Sequence, residues 1–382
     1  MAVKLDEVLK KFQGLKGLAA VFSGSGNILG VDVGSHAVKV VFMTEEGGIP
    51  TLKAWGHLPL AVKPEATAEE KKTAAGSVLR AFLAQKGLKV KDAATALSGN
   101  SVIVRYVKFP RLTKAELSAT LTTEAEPFIP FDINEVQLGF HILSDIVEEG
   151  QKKMETVLVA AKKDLVAARL EILEGAGLTP AIIDVDSFAL ENVHDKMSGP
   201  QPPAGAALYL NLGHTVTNLS IIEGGLSRVV RDIFISGSTL TKAIMKSLQV
   251  DLAKAEELKK TYGIIMDAAE KEKALADGNR EALGVSQAIT GVTKDLVAEV
   301  HRSVDFYLSQ GPERSIARIV LAGGTAALRN LSAHLAGELK VPVSVLQPFS
   351  FLKSPPADMP AELAPAFAVA VGLALRRNRD WI

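Results

Sequence analysis

The chain has no cysteine. Disulfides, thiolate metal ligands and a thiol nucleophile are therefore excluded, and the absence agrees with a reducing compartment. An excess of one charge is missing as well. Lys plus Arg and Asp plus Glu both total 43, so the chain lacks the cationic surplus that a phosphate backbone rewards, and direct nucleic-acid binding is not expected. Long apolar runs are absent too. The most apolar stretch, Ala366–Leu375, has about half of the roughly 20 residues that a membrane span needs and reads as a buried helix. No N-terminal segment joins a basic start to a sustained apolar stretch and a cleavage site, so a secretory signal is not expected and the cytoplasm is the expected location. The seven histidines form no His-Glu-x-x-His pattern or other compact ligand set, which leaves a zinc site without support. His36, His214 and His301 read, taken alone, as structural or solvent-facing. There is no P-loop and no Gly-x-Ser-x-Gly nucleophile elbow.

What is present is enough apolar material for a large core: 47% of 382 residues are hydrophobic, which calls for two or more domains. Leu5, Val8, Leu9 and Phe12 fall at helical spacing among Lys4, Lys10, Lys11 and Lys16, a pattern of a short basic amphipathic helix within an extension over 1–27. Ile28–Asp32 and Val38–Met43 read as a strand hairpin. After a helix carrying Val78, Leu79, Phe82 and Leu83, a self-contained strand–helix–strand–strand–helix pattern over 103–179 reads as an inserted small α/β subdomain. The prolines of 200–203 separate it and the segment Asp184–Met197 from a new strand at Leu208. From there the opening pattern recurs, Leu208–Asn211, a glycine turn and Asn218–Ile222, about 180 residues after the first copy, which suggests a duplicated fold with a site between its halves. The division expected is a first lobe over 28–102 and 180–204, closed by a helix over 366–378, and a second lobe over 205–238 and 309–365. A helix-rich subdomain occupies 239–308. The final strand is expected at Ile319–Ala322.

Three short motifs carry chemistry. Asp32-Val-Gly34-Ser35-His36, followed by Lys39, combines a tight turn whose N–H groups can face an anion with a carboxylate able to hold hydrated Mg²⁺ and a cation able to offset phosphate charge. Asn211-Leu-Gly213-His214-Thr215-Val216-Thr217 repeats the strand–glycine–hydroxyl design. Ala322-Gly323-Gly324-Thr325 ends a strand in bare backbone, where a nucleotide can approach. Each alone is also an ordinary turn.

In this order the three resemble the phosphate-1, phosphate-2 and adenosine motifs of the actin-like ATPase superfamily, and Ala255-Glu256-Glu257-Leu258-Lys259-Lys260-Thr261-Tyr262-Gly263 resembles the A-E-x-x-K-x-x-x-G segment of its bacterial branch. Within it the chain is most similar to the PilM family of type IV pilus assembly and next to the division protein FtsA, over about 28–375. Further supports are Ile183–Leu190, the closing apolar helix, and Phe128-Ile129-Pro130-Phe131, similar to a Pro-aromatic stretch of PilM insertions. The resemblance implies an α/β, actin-like (ribonuclease H-like) duplicated two-lobe fold with an FtsA-type insertion. It implies ATP and Mg²⁺ as cofactors and a cytoplasmic adaptor that binds the N-terminal cytoplasmic peptide of PilN, in a groove between the first sheet and residues of about 103–180. Further inner-membrane and motor proteins, peripheral membrane association through them, and self-association stay open.

By the same resemblance the cofactor-binding positions are Asp32, Gly34, Ser35, His36, Lys39, Asn211, Gly213, His214, Thr215, Thr217, Gly323 and Gly324, with Asp32 on the metal through water and Glu256 and Lys259 near ribose and adenine. Asp186 stands where relatives place a longer side chain to orient water, and Asn211 where they place Asp. Both departures imply slow hydrolysis at most. A small-molecule kinase and an FtsA-like filament protein are the alternatives. The kinase lacks a convincing base beside an acceptor pocket, and the Arg379–Ile382 ending is expected to be too short for an FtsA-like membrane helix.

Overall fold

The computed structural model describes residues 27–63, 65–199 and 204–376. The helix expected around Leu5–Phe12, the 200–203 linker and the end of the helix expected over 366–378 lie outside the described residues. In chain order, β1 (Leu29–Val33), β2 (Ala37–Glu46) and β3 (Ile49–Pro59) form a meander, followed by α1 (Ala68–Lys86) and β4 (Asp92–Leu97). Next come β5 (Val102–Pro110), α2 (Lys114–Ala125), β6 (Val136–Glu148) and β7 (Gln151–Lys162), then α3 (Lys163–Gly175), β8 (Thr179–Val185) and α4 (Asp186–Ser198). The second half opens with β9 (Ala206–Leu212), β10 (Thr217–Glu223) and β11 (Leu226–Ile233). It continues through α5 (Gly237–Leu248), α6 (Leu252–Tyr262), α7 (Ala268–Ala276) and α8 (Arg280–Leu308) to β12 (Ile316–Ala322), α9 (Leu331–Leu339), β13 (Val343–Val345) and α10 (Ala368–Ala374). β13 is one strand beyond the last expected. It pairs with β12 in parallel from Ile319 to Leu321.

Two five-stranded sheets have the same connectivity, β3-β2-β1-β4-β8 and β11-β10-β9-β12-β13. In each, a meander is antiparallel and the last two strands join in parallel on the far side of the first strand. The duplication extends to the turns. Gly47-Gly48 and Gly224-Gly225 close the equivalent hairpins with φ of 60° and 82°, and of 61° and 79°, the paired positive angles of a tight turn matched to strand twist. All seven residues of β9 are buried, as expected of a central strand covered on both faces. Local signals set the helix ends. Thr67 accepts from the Glu70 amide while the Glu70 carboxylate accepts from the Thr67 amide at 2.7 Å, a reciprocal cap that fixes where α1 begins.

The third sheet, β5-β7-β6, is antiparallel. One face holds a core of Phe109, Leu117, Met154 and Leu158 under α2. The other places Val104 and Val157 against Val185, Phe188 and Val230, so the insertion rests on both lobes, and Arg228 reaches Glu155 at 3.4 Å. Within the expected Pro-aromatic anchor, Ile129 is buried, Phe128 stacks edge-on against Phe109 and Lys162 lies over the Phe131 ring. Ile172 and Leu173 of α3 share a core with Leu79 and Phe82 of α1, while its Val166 and Leu170 pack with Ala161 of β7 and Leu97 of β4, so α3 joins the insertion to the first lobe.

α10 packs against residues of both lobes. Ala368–Ala374 pack in one cluster with Ala189, Leu190 and Val193 of α4 and with Val320 and Ala322 of β12. Two glycines allow this closeness. A Cβ on Gly30 would lie 2.1 Å from the Ala370 carbonyl oxygen, and one on Gly372 would lie 1.8 Å from that of Ala189. Among the described residues no helix is long and apolar enough to cross a membrane.

Candidate functional site

The two glycine turns face each other. β1 and β9 are the central strands of their sheets and end at equivalent points, so the turns that follow meet between the lobes. Ser35 Oγ and Thr215 Oγ1 lie 3.0 Å apart, and the His36 and His214 rings are 5.2 Å apart at 33°. Ser35 and His214 are equivalent turn positions, as are His36 and Thr215, so the contacts run crosswise as a two-fold relation between similar surfaces requires. Among the described residues, the amides of Ser35, His36, His214 and Thr215 donate to no backbone or side-chain acceptor. Four unpaired donors on two opposed turns form a nest for an anion.

Each turn is braced from behind. Gly34 donates to the Ala37 carbonyl and Gly213 to the Val216 carbonyl, and added Cβ atoms would meet Lys39 Nζ at 2.8 Å and the Val216 oxygen at 2.6 Å. The N-terminus of α5 holds the second turn. The Gly237 amide donates to Gly213 O at 3.0 Å, and the Ser238 amide and Ser236 hydroxyl both donate to His214 O at 2.8 Å. Asp32 and Lys39 are cross-strand neighbours joined at 2.7 Å. At the equivalent register of the second hairpin, the Asn211 amide donates to Asn218 Oδ1 at 2.8 Å.

Glu256 and Lys259 are joined at 2.7 Å on α6, and Lys259 also donates to Thr241 at 2.7 Å and to the Gly237 carbonyl at 3.3 Å. Burial pulls Lys259 below its ordinary value against the pull of Glu256. For Glu256 burial works upward, but hydrogen bonds from Lys259 and Thr241 outweigh it and leave the carboxyl below its usual range. This pair therefore ties α6 to the helix that braces the second turn. Gly323 has φ 84° and no room for a side chain, its Cβ falling 2.5 Å from the Leu212 carbonyl oxygen. Gly324 is open, with Ala366 Cβ nearest at 3.9 Å.

Two expected residues are placed differently. Thr217 is fully buried and donates to the Ile235 carbonyl at 2.7 Å, so it fastens β10 and does not face the cleft. Asp186 starts α4. Burial first, and then the charge of Asp32, push its carboxyl up to about 7, against a Ser98 hydrogen bond; Asp232 adds to the rise and Arg169 opposes it. A carboxyl held near neutrality can accept a proton at that pH, so the short reach of this side chain, not its basicity, limits its hold on an attacking water.

Ser98, Asn218, Asp232 and Arg169 escape the sequence reading. Asp232 accepts from Asn218 Nδ2 at 2.7 Å and from the Gly99 amide across the lobe boundary, and burial pushes its carboxyl up. Arg169 of α3 donates to the Val33 carbonyl at 2.7 Å, beneath the first turn. For Asn218 a signal existed, its equivalence to Lys39. The others come from distant segments without a local motif.

The family model of the type IV pilus assembly protein PilM matches residues 30–378. The chain belongs to the PilM family. A solved structure titled as a PilM–PilN type IV pilus biogenesis complex is 31% identical, covers 92% of this chain and 99% of its own, and superposes with a TM-score of 0.78. The ethanolamine utilization protein EutJ of Carboxydothermus hydrogenoformans is 16% identical over 98% of this chain and 99% of its own, with a TM-score of 0.50, a likeness of fold alone. The fold is α/β and actin-like, with the two lobes of this PilM-family chain meeting at the paired turns.

A polyphosphate fits these residues. The free turn amides, Lys39 and the imidazoles are all donors, and at Gly324 an added Cβ would meet nothing closer than Ala366 Cβ at 3.9 Å. A metal fits less fully, since no three His, Asp or Glu side chains among the described residues are grouped to hold one. Mg²⁺ that keeps water and phosphate oxygens as its main ligands needs only one or two carboxylates, which Asp32 can meet.

Proposed function

We propose that the protein is an ATP-binding cytoplasmic adaptor of a type IV pilus inner-membrane complex, and that it holds the N-terminal cytoplasmic peptide of PilN. The observation that carries the nucleotide part is the meeting of two equivalent glycine turns from opposite lobes, with Ser35 and Thr215 in contact. Ser35, His36, His214 and Thr215 surround the polyphosphate in this reading, and Lys39 offsets its charge. Asp32 steadies Mg²⁺ through water, while Glu256 and Lys259 border the ribose and base. Magnesium supplies charge neutralisation on the phosphates. Asp186, one methylene shorter than Glu, turns over water slowly at most.

The PilN part is supported by family membership and by the likeness to the PilM–PilN structure. An extended peptide beside the insertion can add backbone hydrogen bonds at a sheet edge and fill pockets with alternate side chains. Because the insertion rests on Val185 of the first lobe and Val230 of the second, a shift between lobes alters its floor. Peptide and nucleotide affinities are then coupled, and the coupling is reciprocal. A pull-down from membranes with and without ATP tests the reading: recovery of PilN and its inner-membrane partners supports it, and a division or metabolic partner set without PilN contradicts it.

A further inference from the structure

His36 and His214 sit on opposite lobes with their rings 5.2 Å apart, beside the amides of Ser35, His36, His214 and Thr215. The charged groups around them come from four elements. His36 faces Glu256, Lys259 and Lys260 of α6 and Lys39 of β2; His214 faces His36, Glu256 and Lys259, with Lys242 of α5 behind it. His57 of β3 lies close enough to feel both Lys39 and His36. One carboxylate among several cations and a second imidazole leaves little to stabilise a proton on either ring.

We propose that His36 and His214 are neutral in the empty cleft and take up protons when a nucleoside polyphosphate lies against the turns, so that the site acquires part of its positive charge only with its ligand. The inference rests on the nucleotide reading above. Both rings stand below the ordinary imidazole value, first through partial burial; the surrounding lysines deepen the fall for each and His36 does so for His214, while Glu256 opposes it. A polyphosphate brings several negative charges to the same turns and reverses that balance, because an opposite charge within a few ångströms favours the protonated form. By linkage, a ligand that raises the proton affinity of a group binds more tightly as pH falls toward that group's free value. The neutral rings also explain how two histidines tolerate contact across the lobe boundary without repulsion.

The test is calorimetric titration of the full chain with MgATP between pH 6 and 8, in buffers of different ionisation enthalpy, which counts protons taken up. Wild type is compared with His36→Gln, His214→Gln and the double variant, so that titration of the ligand's own terminal phosphate cancels. The expected result is a larger proton uptake by wild type. Its affinity relative to the double variant then rises as pH falls, by up to about tenfold per pH unit for each proton. The ring resonances of wild type, titrated with and without MgATP, give an answer independent of variant folding, and two of them should titrate at higher pH with nucleotide. ATP binding with equal proton counts, or with unmoved ring titrations, overturns the proposal alone. No ATP binding by wild type at any pH removes the nucleotide reading and this inference with it.

Discussion

The Asn211 side-chain amide donates to Asn218 Oδ1 at 2.8 Å, at the register where the first hairpin joins Asp32 to Lys39. One copy of the repeat is thus ionic and the other neutral. Asn218 in turn donates to the half-buried Asp232, so Asn211→Asp adds a carboxylate two hydrogen bonds from another, linked through the Asn218 amide. Without nucleotide the variant should lose about 1–3 kcal/mol of stability. Its ATP binding should depend more on Mg²⁺ than that of wild type, and Asp32→Ala should depend less. Denaturant melts and titrations with and without Mg²⁺ measure both, and equal Mg²⁺ dependence in all three proteins contradicts the assignment.

The adjacent glycines 323 and 324 should separate stability from binding. Gly323→Ala forces a Cβ to 2.5 Å from the Leu212 oxygen at φ 84° and should cost roughly 1–3 kcal/mol. Gly324→Val starts from open space and should fold as wild type does, yet lose roughly tenfold or more in ATP affinity, about 1.4 kcal/mol. A folded Gly324→Val with unchanged affinity removes this glycine from the site.

Gly372→Ala drives a methyl into the Ala189 carbonyl, 1.8 Å from its ideal position. The cost should be about 3 kcal/mol, near the upper end for overpacking. Because α10 packs against residues of both lobes, the loss should appear as one lowered transition. Gly139→Ala, with nothing within 4 Å, is the control and should melt as wild type does.

His194 is buried, bonded to Tyr209 at 3.1 Å and to Ser198 at 3.2 Å. Burial, reinforced by the charge of Arg318, pulls it down to about 4 from an ordinary value of 6.5. Between those values the unfolded chain binds more protons than the native one. The contribution of neutral His194 is therefore complete above about pH 6.5 and is lost as pH falls toward 4. Discounted for partial solvent screening, it amounts to about 2 kcal/mol. His194→Gln should be less stable at pH 7 but should lose less on acidification. Equal slopes of stability against pH would show that another group carries the acid sensitivity.

Both glycine turns are legible in the sequence because each follows an apolar strand at equal spacing, and the repetition implies a shared architecture. Thr217 misleads because its side-chain type suits a phosphate while its position does not. Its counterpart in the first hairpin is Val38, fully buried, and that equivalence marks an interior position. α3 reads as part of the insertion because it follows β7 directly; that its Ile172 and Leu173 also pack on α1 of the first lobe is visible only in the fold. β13 is three residues long, too short for a period to show. Asp232 and Arg169 reach the site through tertiary packing that no local pattern announces.

In the proposed reading one chain joins a nucleotide cleft to a PilN-binding surface. Calorimetric titration of the PilN N-terminal peptide into the full chain, with and without saturating MgATP, measures that link. Saturable binding of one peptide per chain is expected, with a change in its affinity on adding MgATP matched by an equal change in ATP affinity when the peptide is present. Absence of peptide binding in both conditions would overturn the reading.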